Sequence, residues 1–169
     1  MKITNKQKGF SLIELLIVVA IILIIAAIAI PNLLRARIAA NEASAVGSVR
    51  TLDTAQITYS TTYGTGFTTL AQLGGAAGCV AAPATSCLID PVLTAGTKSG
   101  YLVASVPGTG AGTVISPFQT FEVNATPVST STGTRAFCSD QSGVLRYNTT
   151  GAAIGTAAGT CAAVVTILQ

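Results

Sequence analysis

The chain changes abruptly from polar to apolar positions near its start. Residues 1–9 are polar and basic, whereas residues 15–30 are sixteen consecutive apolar residues. The apolar segment as a whole, residues 10–30, would span about 31 Å as a helix, enough to cross the hydrocarbon core of a bilayer. A buried strand would be much shorter. The pattern therefore predicts one membrane-length helix in this segment.

The helical pattern continues past Pro31. Because proline lacks an amide N–H and crowds the preceding turn, we expect a kink or local melting of the helix there. Apolar residues then recur at helical spacing and form one stripe, which consists of Leu34, Ile38, Ala45, Val49, Leu52 and Tyr59. Most of the residues expected off this stripe are charged or polar, namely Arg35, Arg37, Asn41, Glu42, Ser48 and Arg50. We predict that residues 31–63 form the amphipathic half of the same helix, which ends near Tyr63.

The rest of the chain has loop-like and strand-like patterns. Residues 64–99 are punctuated by Gly, Pro, Ser and Thr, which indicates a loop that contains one short helix over 69–73. Residues 100–169 contain short strand-like segments, at 101–106, 118–123, 134–138, 144–147 and 161–168. A long helix followed by adjacent short strands indicates an α+β fold, with the helix packed on a small antiparallel sheet.

The excess of basic residues lies in residues 1–9, which we call the leader. The net charge is +3, but Lys2, Lys6 and Lys8 all precede Gly9, and without residues 1–9 six basic and six acidic residues remain. No specific nucleic-acid surface is therefore predicted. A basic N-terminus beside an apolar segment indicates that the N-terminus is cytoplasmic.

The composition argues against an enzyme. The chain has no His, the commonest general base at neutral pH. Its other acidic residues are scattered, show no nucleophile–base pattern and are expected to be solvated or turn residues: Asp53, Asp90, Glu122 and Asp140. Neither a catalytic site nor a cofactor is predicted.

The four cysteines are Cys79, Cys87, Cys138 and Cys161. Their spacings match neither a zinc ribbon nor a redox CxxC motif, and without His a metal site would need all four thiolates. An even number of cysteines in an exported chain favours two disulfides. No metal is predicted.

Glu14 is the unusual residue of the apolar segment, because a carboxylate at membrane depth costs roughly 2.5–3.5 kcal/mol on insertion scales. A cleavable signal peptide is one alternative, with Ala27-Ile28-Ala29 as its cleavage motif. A simple membrane anchor is another. In both alternatives Glu14 is only a cost.

The segment KGFSLIELLIVVAIILIIAAIAIP, residues 8–31, resembles the leader and N-terminal helix of type IVa prepilins. The resemblance implies that a prepilin peptidase/N-methyltransferase cleaves after Gly9 and methylates the new N-terminus, Phe10. It also implies that Glu14 serves assembly and that Pro31 lies where the helix loosens in the filament. In such a filament Glu14 can pair with the Phe10 amine of an adjacent subunit, as a buried ionic group that fixes register.

The resemblance also implies the pilin fold and a C-terminal region bounded by Cys138–Cys161. Cys79–Cys87 is predicted as an additional pair in the loop, which the common family pattern does not require. The implied function is a structural subunit of a type IV pilus. Such a subunit enters the inner membrane as a single-pass precursor and is polymerised by the pilus assembly machinery. The product is a helical homopolymer on the cell surface that serves adhesion or twitching motility.

Two related alternatives remain open from the sequence, a pseudopilin of type II secretion and a minor pilin. Major pseudopilins usually carry a C-terminal calcium site. Beyond residue 91 the only acidic residues are Glu122 and Asp140, too few for a convincing side-chain calcium cage.

Overall fold

The computed structural model describes residues 10–157, 159–164 and 166–168. Its first element is one long helix. Helix α1 spans Leu12–Tyr63 and has Pro31 inside it. The predicted end near Tyr63 is confirmed, and Gly64 follows with φ of 68°, a left-handed conformation that commonly terminates helices. The chain stays helical on both sides of Pro31, so local melting does not occur in the single chain.

The chain divides into two compact units, one that ends at Ala36 and one that spans Arg37–Gln169. In the first unit almost every described side chain is exposed. By length and composition, α1 is able to cross a membrane, and its most apolar window has a mean hydropathy of 3.3. Leu34, predicted on the buried stripe, is also exposed.

The second unit adds two short helices and one antiparallel sheet. The helices are α2 (Leu70–Leu73) and α3 (Pro91–Thr94). The strands are β1 (Thr97–Lys98), β2 (Tyr101–Pro107), β3 (Phe121–Pro127), β4 (Ala136–Asp140) and β5 (Arg146–Asn148). They form a five-stranded sheet in the order β1-β2-β3-β4-β5, with every neighbouring pair antiparallel. The predicted α+β fold with a long N-terminal helix and a small antiparallel sheet is confirmed.

The core lies between the second half of α1 and one face of the sheet. From the predicted stripe, Ala45, Val49, Leu52 and Tyr59 are buried. They belong to one cluster with sheet residues that include Tyr101, Val103, Phe121, Val123 and Phe137. Packing of its apolar face on the sheet, and not helix propensity alone, therefore stabilises the second half of α1.

Three sequence predictions within this unit are wrong. Glu42 and Ser48, expected off the buried stripe, are both buried. The strand predicted at 118–123 begins only at Phe121. Residues 161–164 and 166–168 form no strand, and only one isolated bridge joins Ile167 to Arg146.

Candidate functional site

The N-terminal segment presents an exposed aromatic residue followed by a capped helix. Phe10 is 83% exposed and lies just before α1. The backbone N–H of Ser11 donates a 2.9 Å hydrogen bond to Oε2 of Glu14, and Leu15 N donates to Ser11 O over 3.2 Å. Ser-x-x-Glu is the capping-box pattern, in which the Glu side chain satisfies an N–H that the helix leaves free. A carboxylate in the first turn also complements the helix dipole.

This capping role was missed from the sequence, although the Ser11-Leu12-Ile13-Glu14 pattern was its available signal. It explains why Glu14 is tolerated at this position in the single chain. The carboxylate satisfies one backbone N–H through Oε2, and no described residue donates to its other oxygen. The predicted partner is the amine of a neighbouring subunit, so this pairing can form only between two chains.

Within the described residues, no other part of the chain covers the apolar half of α1. Its most apolar window is 0% buried, and large side chains such as Ile13, Leu23 and Ile30 are more than 60% exposed. A continuous apolar surface of this length requires lipid or other protein to cover it. Pro31 lies within the helix at the end of this surface. Gly9 and the leader at residues 1–9, predicted to be removed, lie outside the described residues.

A partly buried ion pair joins the second half of α1 to the turn that precedes β4. Glu42 is 5% exposed and pairs with the Arg135 guanidinium at 2.6 Å. Its Oε1 accepts bonds from Thr134 N and Oγ1, each 3.0 Å long. Burial by itself raises the pKa of Glu42, but the bonds from Arg135 and Thr134 outweigh it and hold the pKa below the ordinary value of 4.5. No local sequence pattern signals this pairing, because 93 positions separate its members.

The Cys138–Cys161 disulfide attaches the C-terminal segment to the sheet, and both residues are fully buried. Glu122, 1% exposed, accepts a 2.8 Å bond from Cys161 N and a 2.9 Å bond from Thr160 Oγ1. Asn124 donates to Gly155 O over 2.7 Å. The expectation that Glu122 is solvated is therefore wrong. Its carboxylate instead holds the disulfide-bounded segment on the face of the sheet opposite α1.

The Cys79–Cys87 disulfide closes a short loop whose two cysteines are half-buried. Ser86 anchors this loop by donating its hydroxyl to the carbonyl oxygens of Gln72 and Leu73. Tyr59 of α1 donates its hydroxyl to Pro83 O over 2.7 Å. The loop is thereby fixed to both α2 and α1.

The remaining acidic residues serve local structure. Asp90 caps α3 by accepting from Leu93 N and pairs with Lys98 at 3.1 Å, as expected for a turn residue. Asp140 is buried at the end of β4 and begins the turn that follows, where it accepts from Ser142 N, so it is also a turn residue as expected. Among the residues that the structure describes, no group of three or more His, Cys, Asp or Glu side chains is placed to hold a metal ion.

Asp53 on α1 is half-buried against β4. Its pKa is raised from 3.8 to about 6, mainly by burial and also by the nearby Asp140 carboxylate. The Ser139 hydroxyl opposes this shift. Neither Ser139 Oγ nor Asp53 Oδ1 makes a hydrogen bond of good geometry within the described part of the chain.

Comparison with known proteins identifies the N-terminal segment. Residues 4–30 match the family model of the prokaryotic N-terminal methylation motif. The chain is also similar to the type IV wide pilus major component PilA4 of Thermus thermophilus, with 66% identity over 38 residues. That match covers 22% of the chain and 29% of the relative's length. No solved structure matches the chain significantly. The predicted resemblance to type IV prepilins is confirmed in these segments.

Proposed function

We propose that the chain is a structural subunit of a type IV pilus. One observation carries this proposal: the methylation motif over residues 4–30 includes the start of an apolar helix that no other described part of the chain covers. A helical polymer in which such helices pack together would cover that surface. The compact second unit, stabilised by two disulfides, would then form the outside of the fibre.

The proposed maturation begins in the inner membrane. The basic leader stays cytoplasmic and the apolar half of α1 spans the bilayer. The prepilin peptidase/N-methyltransferase cleaves after Gly9, where the absence of a side chain allows close approach to the backbone, and methylates Phe10. The mature subunit then has a positively charged amine at Phe10, four residues before Glu14, and this amine is available to a neighbour's carboxylate.

Assembly uses Glu14 and Pro31 in this proposal. Each Glu14 caps its own helix and accepts a second, charge-assisted bond from the Phe10 amine of an adjacent subunit. Pro31 removes one helical hydrogen bond, so the chain near it is the easiest part of α1 to unwind when helices pack closely. In this proposal Pro31 acts in the filament, whereas Glu14 acts both in the single chain, as a cap, and in the filament, as an ion-pair partner.

A pilus is favoured over a secretion pseudopilus by the relative, which is named as the major component of a wide pilus. Adhesion or twitching motility is the role proposed for the fibre. Cells that carry the intact gene should yield sheared surface fibres with this chain as their main protein. Cells with the gene deleted should lack those fibres. A trace amount in fibres made mostly of another protein would identify a minor pilin instead.

A further inference from the structure

Helix α1 carries no charged residue between Glu14 and Arg35, and we call residues 15–34 the uncharged span. Because α1 stays helical across Pro31, the rise of about 1.5 Å per residue applies to the whole span and puts Arg35 about 31 Å from Glu14 along the helix axis. The hydrocarbon core of a bilayer is about 30 Å thick. Glu14 and Arg35 are therefore spaced to lie at the two surfaces of one membrane.

Two exposed arginines, Arg35 and Arg37, follow the uncharged span. Neither belongs to a salt bridge within the described part of the chain. No acidic residue occurs between Glu14 and Glu42, so no carboxylate lies nearby in the sequence. Both guanidinium groups are therefore available to an anion from outside the chain.

We propose that Arg35 and Arg37 bind the phosphate groups of phospholipids at the outer surface of the inner membrane. An arginine at the end of a membrane span lays its aliphatic stem along the lipid and keeps its charged group at the interface. The planar guanidinium group also matches phosphate with two parallel hydrogen bonds. Charge and position both favour this partner, because the span itself brings the lipid headgroups next to the two arginines. This inference rests on the proposed function.

The contact becomes most important when the leader is removed. In the precursor, the three leader lysines favour a cytoplasmic location for the inner end of the span. Cleavage after Gly9 leaves Arg35 and Arg37 as the first basic side chains of the mature chain, and the next is Arg50. The two arginines then determine the depth of the span. They keep Glu14 at the inner surface, where its carboxylate avoids the cost of the bilayer centre.

A direct measurement of contact between arginine and lipid phosphorus tests the partner. The mature chain, with isotopically labelled carbon at every arginine Cζ, is reconstituted in vesicles of phosphatidylethanolamine and phosphatidylglycerol. Carbon–phosphorus dipolar recoupling in solid-state NMR should show dephasing for the wild type, and Arg35→Lys combined with Arg37→Lys should remove it. Arg50→Lys is the matched control, because Arg50 is exposed on the same helix, and it should retain the dephasing. Dephasing that survives in the double variant would overturn the proposal, as would its absence in the wild type.

Fluorescence quenching tests the depth of the span. The chain has no Trp, so Ile17→Trp supplies a single reporter near the inner end of the span. Replacing both Arg35 and Arg37 with Leu lengthens the uncharged segment to residue 41, by about 10 Å. Recentring of this longer segment should move the reporter of the mature chain about 3–5 Å toward the nearer vesicle surface, as measured with lipids brominated at different acyl positions. Replacing both arginines with Lys keeps the charge and should leave the reporter in place.

The precursor supplies the second comparison, because its leader lysines still hold the inner end of the span. In the uncleaved chain the Leu replacements should leave the reporter where it is. A mature chain whose reporter also stays at the same depth would overturn this inference and leave the pilus proposal intact. If cells never cleaved the chain after Gly9, the proposed function would fail as well.

Discussion

The backbone N–H of Ser11 donates to Oε2 of Glu14 over 2.9 Å at the first turn of α1. Glu14 therefore caps its own helix in the single chain, without any neighbouring subunit. A cap and an intermolecular ion pair use different features of the residue. The cap needs an acceptor oxygen at the right distance, whereas the ion pair needs the negative charge. Substitutions that separate these two features test the assembly role.

Glu14→Gln keeps an acceptor oxygen for Ser11 N and removes the charge. If charge pairing drives assembly, this variant should be membrane-inserted and cleaved but should give few or no fibres, because a buried amine left unpaired costs roughly 3–5 kcal/mol. Glu14→Leu should behave in the same way, and Glu14→Asp should be partly defective. Fibre yield and mass analysis of the membrane form provide the measurement. Abundant fibres from Glu14→Gln would assign the residue to capping alone.

The Glu42–Arg135 pair should make stability depend on acidic pH. Because the pKa of Glu42 is lowered in the fold, its contribution is present above about 4.5 and is lost as the pH falls through the lower folded value. Glu42→Ala should reduce the free energy of unfolding at pH 7 by about 2–3 kcal/mol, since the Thr134 and Arg135 donors lose their acceptor. Glu42→Gln should cost about 1 kcal/mol. Urea unfolding of the detergent-solubilised chain, followed by near-ultraviolet circular dichroism, measures both.

Asp53 should have the opposite dependence on pH. Its folded pKa is raised to about 6, so its contribution is fully present below 3.8 and is lost as the pH rises through about 6. Asp53→Asn should therefore increase the free energy of unfolding at pH 8, by about 1 kcal/mol after allowance for partial exposure. The gain should shrink toward pH 4 in the same unfolding assay. A variant less stable than the wild type at pH 8 would contradict this explanation.

The two disulfides should differ in their access to reductant. Cys138 and Cys161 are fully buried, whereas Cys79 and Cys87 are half-buried. Mild dithiothreitol followed by alkylation should label the 79–87 pair first. Replacing both buried cysteines with Ala should cost about 3 kcal/mol, because their disulfide closes a loop of 23 residues. Non-reducing peptide mapping that found Cys87 joined to Cys138 would refute the pairing.

The sequence predicts the parts of this fold that depend on local periodicity. The length of α1, its end at Tyr63 and the buried positions Val49 and Leu52 all follow from apolar spacing. Periodicity did not predict the start of β3. Its residues alternate between apolar and polar as in a strand, but residues 118–120 before Phe121 include no Gly, Pro, Asn, Asp or Ser that would mark where the strand begins.

The buried polar residues were not predictable for a different reason. Glu42 is buried because Arg135 meets it from the sheet side, and Glu122 is buried because Cys161 N and Thr160 bind its carboxylate. Each partner is distant along the chain, so no local sequence pattern predicts that these carboxylates are buried. Glu14 is the exception, since its capping partner lies only three residues away and the motif was available.

The central claim is that this chain is a processed pilus subunit, and the intact mass of the protein in sheared surface fibres tests it most directly. The account predicts a polypeptide that begins at Phe10, has lost residues 1–9, carries one added methyl group and contains two intact disulfides. A fibre protein that retains residues 1–9, or a mature form that begins at Ile30 after Ala27-Ile28-Ala29, would contradict it.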